Sequence, residues 1–305
     1  KEAEWQSRKN ERAGRKPVEP LYTVKDSEET LKYVRPVMYD QLFEINDEMK
    51  VVFNDAGHIL GSAIIELWTA EDDNVYKTVF SGDLGVLDRP ILRDPTIIKK
   101  ADYVIMESTY GDRSHGPKPD YVPELAKIIQ ETLDRGGNLV IPSFAVGRTQ
   151  EMLYFIREIK AEHLVHGHGE FPVYVDSPLA VEATNIFRDH QNECYDSDAA
   201  ALLAQGINPI LFPGLKLSIT SDESKAINFN ETPKVIISAS GMCDAGRIKH
   251  HLKHNLWRQE STVLFVGYQA VGTLGRALIG GAKEVKLFQE EVQVNAHIIQ
   301  FPGMS

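Results

Sequence analysis

The chain contains 305 residues, 42% of them hydrophobic and 25% charged, which is typical of a globular protein with one large domain or two medium ones. A formal net charge of −11 excludes a surface coated in basic charge but allows a local basic cleft. Two cysteines, Cys194 and Cys243, provide neither a disulfide framework nor a cysteine-based zinc site, and they fit a reducing compartment. With no apolar run long enough to span a bilayer and no signal-peptide pattern, we predict a soluble, cytoplasmic protein without membrane partners.

The first third of the sequence is rich in predicted strands. A charged segment over residues 1–16 is followed by a capping-box pattern at residues 26–29, which predicts a short helix ending before Pro36. Strand-like apolar runs come next, at residues 50–54, 62–68, 76–81 and 103–107. The first pair of runs predicts a hairpin around a glycine-flanked turn that carries His58.

From residue 123 onwards, predicted helices alternate with short apolar strands. Helical patterns cover 123–135, 148–164, 178–190, 244–257 and 272–279, and strand patterns cover 138–142, 171–175, 234–239 and 262–266. Residues 192–233 are less regular, with a short helix after Ser221, and strand-like runs return at 284–288 and 292–300. The alternation indicates a parallel sheet covered by helices on both faces. The sequence therefore predicts an α/β fold in which a β-rich block is followed by an inserted α/β domain and then by further strands.

Three residues with metal-binding chemistry follow successive predicted strands: His58, Asp83 and Glu107. A lone turn histidine is often only a satisfied polar residue, and for His58 in isolation that interpretation is favoured. Strand ends can converge on one sheet edge, however. Such an edge suits a metal held by imidazole and carboxylate, with a further carboxylate orienting a ligand.

Loops of small residues follow the strands of the α/β block and open its helices. They cover residues 142–147, 176–179, 238–241 and 267–275, and they include Ser143, Ser238 and Ser240. The carboxyl ends of parallel strands form the usual ligand edge, and helix N-termini bind phosphate. The alternative is that the small residues only make tight turns.

Three arginines, Arg148, Arg247 and Arg276, fall in or near the first turn of a predicted helix. The helix dipole disfavours cations there. Their placement indicates an anion on this edge, and the repeated phosphates of a nucleic-acid backbone fit. The alternative is that they are surface arginines without a partner.

One predicted helix carries a cluster of histidines: His250, His251 and His254. We favour a basic helix that faces nucleic acid and includes His251. The alternatives are a solvated face and a metal pair formed by His250 and His254 at i,i+4 spacing. We assign His166 and His168 to a surface loop.

Several motifs together resemble those of the metallo-β-lactamase-fold β-CASP nucleases, which include the nuclease of pre-mRNA 3′-end processing and its bacterial and archaeal relatives. The motifs are DAGHILGSA (55–63), SGDLG (81–85), ESTYGDR (107–113), PSFAVGRTQE (142–151), DSPLA (176–180), SASGMCDAGRIKHHL (238–252) and GYQAVGTLGRAL (267–278). They cover most of the chain in a fixed order, which makes chance agreement improbable.

The resemblance implies part of a metallo-β-lactamase αββα sandwich with an inserted, Rossmann-like β-CASP domain. The implied boundaries are 1–112 for the first metallo-β-lactamase segment, 113–283 for the β-CASP domain and 284–305 for strands that return to the first domain. Family members use two zinc ions to activate a water for in-line attack on an RNA phosphodiester. By resemblance, His58 would bind one ion, Asp83 would bridge both, and Glu107 would orient a ligand histidine and help to move protons.

The chain also departs from the family pattern. No His-x-His-x-Asp-His motif precedes His58, a last histidine would follow residues 303–305, and Arg276 lies where some members carry another histidine. We therefore expect a fragment that is inactive alone and holds zinc weakly, derived from a zinc-dependent ribonuclease. A non-catalytic RNA-binding or scaffold protein is the alternative, with a small-molecule metallo-hydrolase less favoured. RNA is the predicted partner, and a homodimer is left open.

Overall fold

The first part of the protein is built around a five-stranded sheet. The computed structural model describes residues 2–112 and 119–301. The strands of this sheet are β1 (Leu42–Asn46), β2 (Met49–Asp55), β3 (Ala63–Glu71), β4 (Asn74–Phe80) and β5 (Tyr103–Ile105). They lie in sequential order, and all pairs are antiparallel except β4 with β5. Helices α1 (Glu2–Arg12) and α2 (Val24–Thr30) and a 3₁₀ helix (Leu31–Tyr33) precede the sheet.

The second part contains a six-stranded parallel sheet and a small hairpin. Its strands are β6 (Leu139–Pro142), β7 (Val173–Asp176), β8 (Leu215–Ser218), β9 (Val235–Ser238), β10 (Thr262–Phe265), β11 (Glu284–Leu287), β12 (Glu290–Gln293) and β13 (His297–Gln300). The parallel sheet has the order β13-β10-β6-β9-β7-β8, and β11 pairs with β12 alone. Strands β6, β9 and β10 are buried along their whole length, as expected for a sheet covered on both faces.

Helices cover both faces of the parallel sheet. They are α3 (Tyr121–Asp134), α4 (Arg148–Ala161), α5 (Pro178–Asp189), α6 (Gln191–Cys194), α7 (Ser197–Ala204), α8 (Ser221–Phe229), α9 (Ile248–Asn255) and α10 (Leu274–Ile279). Hydroxyl caps begin several of them: the side chains of Ser177, Thr220 and Thr273 each accept an amide N–H of the first turn. Among the helices described, none has the length and apolarity needed to cross a membrane.

The segment over residues 86–96, which lies between β4 and β5 in the chain, contacts both halves of the protein. Ile91 and Leu92 are buried in the same apolar core as β6 and β7, and Leu92 forms an isolated β-bridge with Tyr195. At its other end, the Thr96 amide donates to the Asp55 carbonyl at 2.9 Å. The segment is therefore packed against both halves of the protein.

The mixed α/β architecture agrees with the sequence prediction. The hairpin around His58 is confirmed, because Asp55 at the end of β2 pairs with Ala63 at the start of β3. Strands β1 and β8 and helix α7 were not predicted. All residues of β1 are exposed, so it lacks the apolar alternation on which sequence assignment depends.

The last strand lies in a different place from the one we expected. The implied boundaries returned residues 284–305 to the first domain, whereas β13 pairs in parallel with β10 in the second sheet. The predicted single run over residues 292–300 is divided between β12 and β13. Residues 303–305, next to which the resemblance implies a last histidine, lie outside the described residues.

Candidate metal edge and nucleic-acid interface

The turn after β2, residues 56–62, is held by polar contacts to its main-chain amides. The Asp55 carboxylate accepts the Gly57 amide at 2.8 Å, and the Ser62 hydroxyl accepts the amides of His58 and Ile59 at 3.1 and 3.2 Å. No hydrogen bond of the His58 ring is found among residues 2–112 and 119–301. The half-buried imidazole is thus available to a ligand, as predicted for a residue on a glycine-flanked strand end.

The turn after β4, residues 81–85, packs directly on this His58 turn. The Gly85 amide donates to the Ala56 carbonyl at 2.8 Å. A Cβ atom on Gly85 would lie 2.0 Å from the Gly57 carbonyl oxygen, so only glycine allows this approach. Asp83 lies exposed in the middle of this turn. The ends of two strands therefore meet at one point.

Glu107 joins the same point from the end of β5. Its Oε1 accepts the Leu84 amide at 2.6 Å, and its own amide donates to the Ser81 hydroxyl at 3.0 Å. The hydrogen bond from Leu84 is the main cause that lowers the pKa of the Glu107 carboxyl; partial burial opposes it, and Thr109 and His58 reinforce it. Glu107 is therefore ionised at neutral pH and lies close to the His58 ring.

These side chains have the right donor chemistry for part of a metal site. Imidazole and carboxylate oxygen are both ordinary zinc ligands. Within the described ranges, no group of three or more His, Cys, Asp or Glu side chains is arranged to hold a metal ion. The residues described here thus provide fewer ligands than a complete zinc site needs.

At the carboxyl edge of the parallel sheet, Arg148 begins α4 and pairs with a buried carboxylate. Its Nη1 donates to Oε2 of Glu151, whose side chain is only 5% exposed. Oε1 of Glu151 accepts from Nε of Arg89, whose Nη1 also donates to the His58 carbonyl at 2.7 Å. Burial lowers the pKa of Arg148, although the nearby Glu151 opposes this. The predicted phosphate-binding arginine therefore also has a structural partner.

A second buried carboxylate, Asp176 at the end of β7, organises the neighbouring loop. It accepts hydrogen bonds from Arg247 Nη1 at 2.8 Å, His251 Nε2 at 2.6 Å and the Ser224 hydroxyl at 2.5 Å. Burial opposes ionisation of Asp176, but hydrogen bonds led by that of His251 outweigh it and lower its pKa to about 2. The other ring nitrogen of His251 lies 2.8 Å from Asn228 Oδ1.

The assignment of His251 to a nucleic-acid surface is wrong in this structure. The ring is fully buried, and both of its nitrogens are engaged by Asp176 and Asn228. On the same helix, His250 stacks on Phe288 at 4.4 Å, so helix α9 uses these rings in packing.

The predicted serines have local structural roles. Ser143 and Ser238 are 1% exposed, and the Ser238 hydroxyl donates to the Asp176 carbonyl at 2.8 Å. The Ser240 hydroxyl donates to the Ala245 carbonyl at 3.2 Å. Burial keeps Ser143 and Ser238 from a surface ligand, whereas Arg276 is exposed in the first turns of α10. The predicted surface loop of His166 and His168 is found, and His168 contacts the exposed Asp134.

Residues 149–278 match the family model of the Beta-Casp domain. The chain therefore contains a Beta-Casp domain. It is 36% identical over 289 residues to Ribonuclease TTHA0252 of Thermus thermophilus, an alignment that covers 94% of this chain and 64% of that relative. With the transcription termination factor FttA of Methanosarcina mazei it shares 35% identity over 263 residues, which is 85% of this chain and 40% of the relative.

A third relative, the RNase J-like protein of Methanocaldococcus jannaschii, is 32% identical over 283 residues, which is 92% of this chain and 63% of the relative. The chain thus spans less than two thirds of the length of each of these relatives. The matches agree with a metallo-β-lactamase β-CASP fold, and this family implies metal dependence.

Sequence reasoning missed Arg89, Glu151 and Asp176 as members of the site. Asp176 had a readable signal, because it ends an apolar strand directly before a helix-capping serine. Arg89 and Glu151 had none, since 62 residues separate them and their contact depends on how the two halves pack.

Proposed function

We propose that the protein hydrolyses phosphodiester bonds of RNA at the edge where His58, Asp83 and Glu107 meet. The observation that carries this proposal is that the turns bearing these residues pack together, beside the loop that opens α4. Gly147, in the loop that opens α4, lies so close to Ile59 that a Cβ atom there would be 3.1 Å from the Ile59 Cγ2 atom. The proposed metal edge and the proposed phosphate edge are thus neighbours.

Zinc is the metal we propose, because imidazole and carboxylate are its usual ligands. When bound, it would supply a Lewis acid and lower the pKa of a water molecule. His58 and Asp83 are the residues here that would hold it. Glu107 is ionised and acts as an oriented acceptor for a proton or for a ligand N–H, since its position is fixed by the Leu84 amide.

RNA is the proposed substrate and partner. The printed names of the relatives, a ribonuclease and a transcription termination factor, support this choice. On this chain, Arg276 is exposed at the carboxyl edge of the parallel sheet, and we propose that it meets a phosphate there together with Arg148 and Arg247. We also propose a cytoplasmic location.

The test is cleavage of a labelled single-stranded RNA in the presence of added zinc. We expect His58→Ala and Asp83→Asn to lower the rate at least about 100-fold, because each removes a metal ligand. Asp73→Asn, an exposed carboxylate in the β3–β4 turn, is the matched control and should leave the rate unchanged. Cleavage that survives both site substitutions would refute the proposed site.

A second candidate is an RNA-binding or scaffold protein without catalysis. It is favoured by one observation: the described residues bring together fewer than three metal-ligand side chains. RNA binding by the wild-type protein without cleavage, in zinc at concentrations that saturate the site, would select this candidate.

A further inference from the structure

A single buried carboxylate joins two arginines from different halves of the protein. Glu151, at the start of α4, accepts a hydrogen bond from Arg89 at Oε1 and one from Arg148 at Oε2. Both guanidiniums are shielded, with side chains 16% and 12% exposed. Hydrogen bonds between charged partners are stronger than neutral ones, and shielding from solvent keeps salt from screening them. Glu151 therefore fixes both arginines together.

Arg89 extends this contact to the candidate metal edge. While its Nε donates to Glu151, its Nη1 donates to the His58 carbonyl at 2.7 Å. A planar guanidinium holds its donors in a fixed fork, so one arginine orients two acceptors relative to each other. A continuous path of hydrogen bonds thus runs from the His58 main chain through Arg89 and Glu151 to Arg148.

Packing reinforces the path at the same place. The loop before α4 approaches the His58 turn at Gly147, whose φ of +81° favours glycine and where a Cβ atom would lie 3.1 Å from the Ile59 Cγ2 atom. That loop is stiff, because the Gln150 side chain accepts the Gly147 amide at 2.8 Å and donates to the Ala145 carbonyl at 3.2 Å. A rigid loop in contact with a turn transmits a displacement of either one to the other.

We propose that Arg89 and Glu151 are positioning residues that fix the distance between the metal ligand His58 and the phosphate-binding edge at Arg148. This inference rests on the proposed function and deepens it. An in-line attack needs the phosphate and the activated water held in one geometry, and an error of about 1 Å costs orders of magnitude in rate. Neither Arg89 nor Glu151 itself needs to touch the substrate.

The first test follows the His58 turn by hydrogen–deuterium exchange, without metal or RNA. Glu151→Gln changes only α4, yet we expect amide exchange over residues 57–61 to rise at least about tenfold, as it should in Arg89→Ala. Arg135→Ala is the control. It also removes a hydrogen-bonded arginine, but one whose partners, the Thr262 hydroxyl and the Glu260 carbonyl, both lie in the second half of the protein. An unchanged turn in Glu151→Gln, or an equal change in Arg135→Ala, would overturn the link.

The second test uses the zinc-dependent RNA cleavage assay. We expect Arg89→Ala and Glu151→Gln to lower kcat at least about tenfold while KM changes less than about threefold, since positioning acts on the transition state. Arg89→Lys should restore only part of kcat, because one ammonium cannot serve both acceptors in fixed directions. Equal kcat in wild type and both variants would overturn the positioning role. A wild type that does not cleave RNA refutes the proposed function instead, and the exchange experiment then still decides whether the link exists.

Discussion

The buried Asp176 carboxylate makes a pH-dependent contribution to stability that can be worked out from the structure. In the folded protein its pKa is about 2, against an ordinary value of 3.8. At roughly 1 to 1.5 kcal/mol per pKa unit, this difference stabilises the folded state by about 2 to 3 kcal/mol at neutral pH. Because the folded-state pKa is lowered, the contribution is complete above pH 3.8 and disappears as the pH falls towards 2.

The substitution Asp176→Asn tests this contribution with little change in side-chain shape. At pH 7 the variant should be less stable by about 2 to 3 kcal/mol or more, since the partners Arg247 and His251 lose a charged acceptor. At about pH 3 roughly half of the deficit should be gone, because the wild-type carboxyl is then largely protonated in the unfolded state.

The assay is urea unfolding followed by circular dichroism at several pH values between about 7 and 3. Asp222→Asn is the control: its carboxylate is 93% exposed and pairs only with Lys225, so no measurable change is expected. A deficit that stays constant with pH would refute the electrostatic explanation and indicate a purely steric loss.

Two further predictions concern other buried contacts. Gly85→Ala should destabilise the protein by about 3 kcal/mol or more, because its Cβ atom would lie 2.0 Å from the Gly57 carbonyl oxygen. Thermal unfolding measures this loss. The control is Gly267→Ala, whose Cβ atom would meet no atom within 4 Å and which should be near neutral. Burial, with a smaller effect of Arg258, lowers the pKa of the fully buried Lys234 to about 8 from 10.5. The free energy of unfolding should therefore rise by up to about 3 kcal/mol between pH 8 and 10.5. Urea unfolding should show no such rise for Lys234→Met. A rise that persists in the variant would exclude Lys234 as its source.

Local sequence signals were sufficient for the elements that frame the site. Glycine-flanked turns between apolar runs located His58 and Asp83, and the strand ending in Glu107 was equally plain. Alternating helices and strands revealed the parallel sheet, because burial on both faces makes each strand a short, continuous apolar run. The three strand ends share one edge because β2 and β4 are both antiparallel to β3, which lies between them, and β5 is parallel to β4.

Contacts between residues far apart in the chain could not be predicted from the sequence. Arg247 and Asp176 are 71 residues apart, and their contact depends on β7 and β9 being neighbours in the sheet. The helix-dipole argument correctly indicated negative charge near Arg148 and Arg247, but the anions found are carboxylates of the protein itself. A sequence pattern that predicts an anion therefore does not identify whether the anion is internal or a ligand.

The exposed Arg276 provides the clearest way to separate these two kinds of anion. No carboxylate partner of its guanidinium is found among the residues described, whereas Glu151 and Asp176 already bind Arg148 and Arg247. A phosphate approaching the latter two must share them with buried carboxylates, and displacing those carboxylates would leave buried charges unpaired. A backbone phosphate at Arg276 displaces only water. We therefore expect the proposed attraction of RNA to this edge to depend mainly on Arg276, while Arg148 and Arg247 hold the loops that shape the edge.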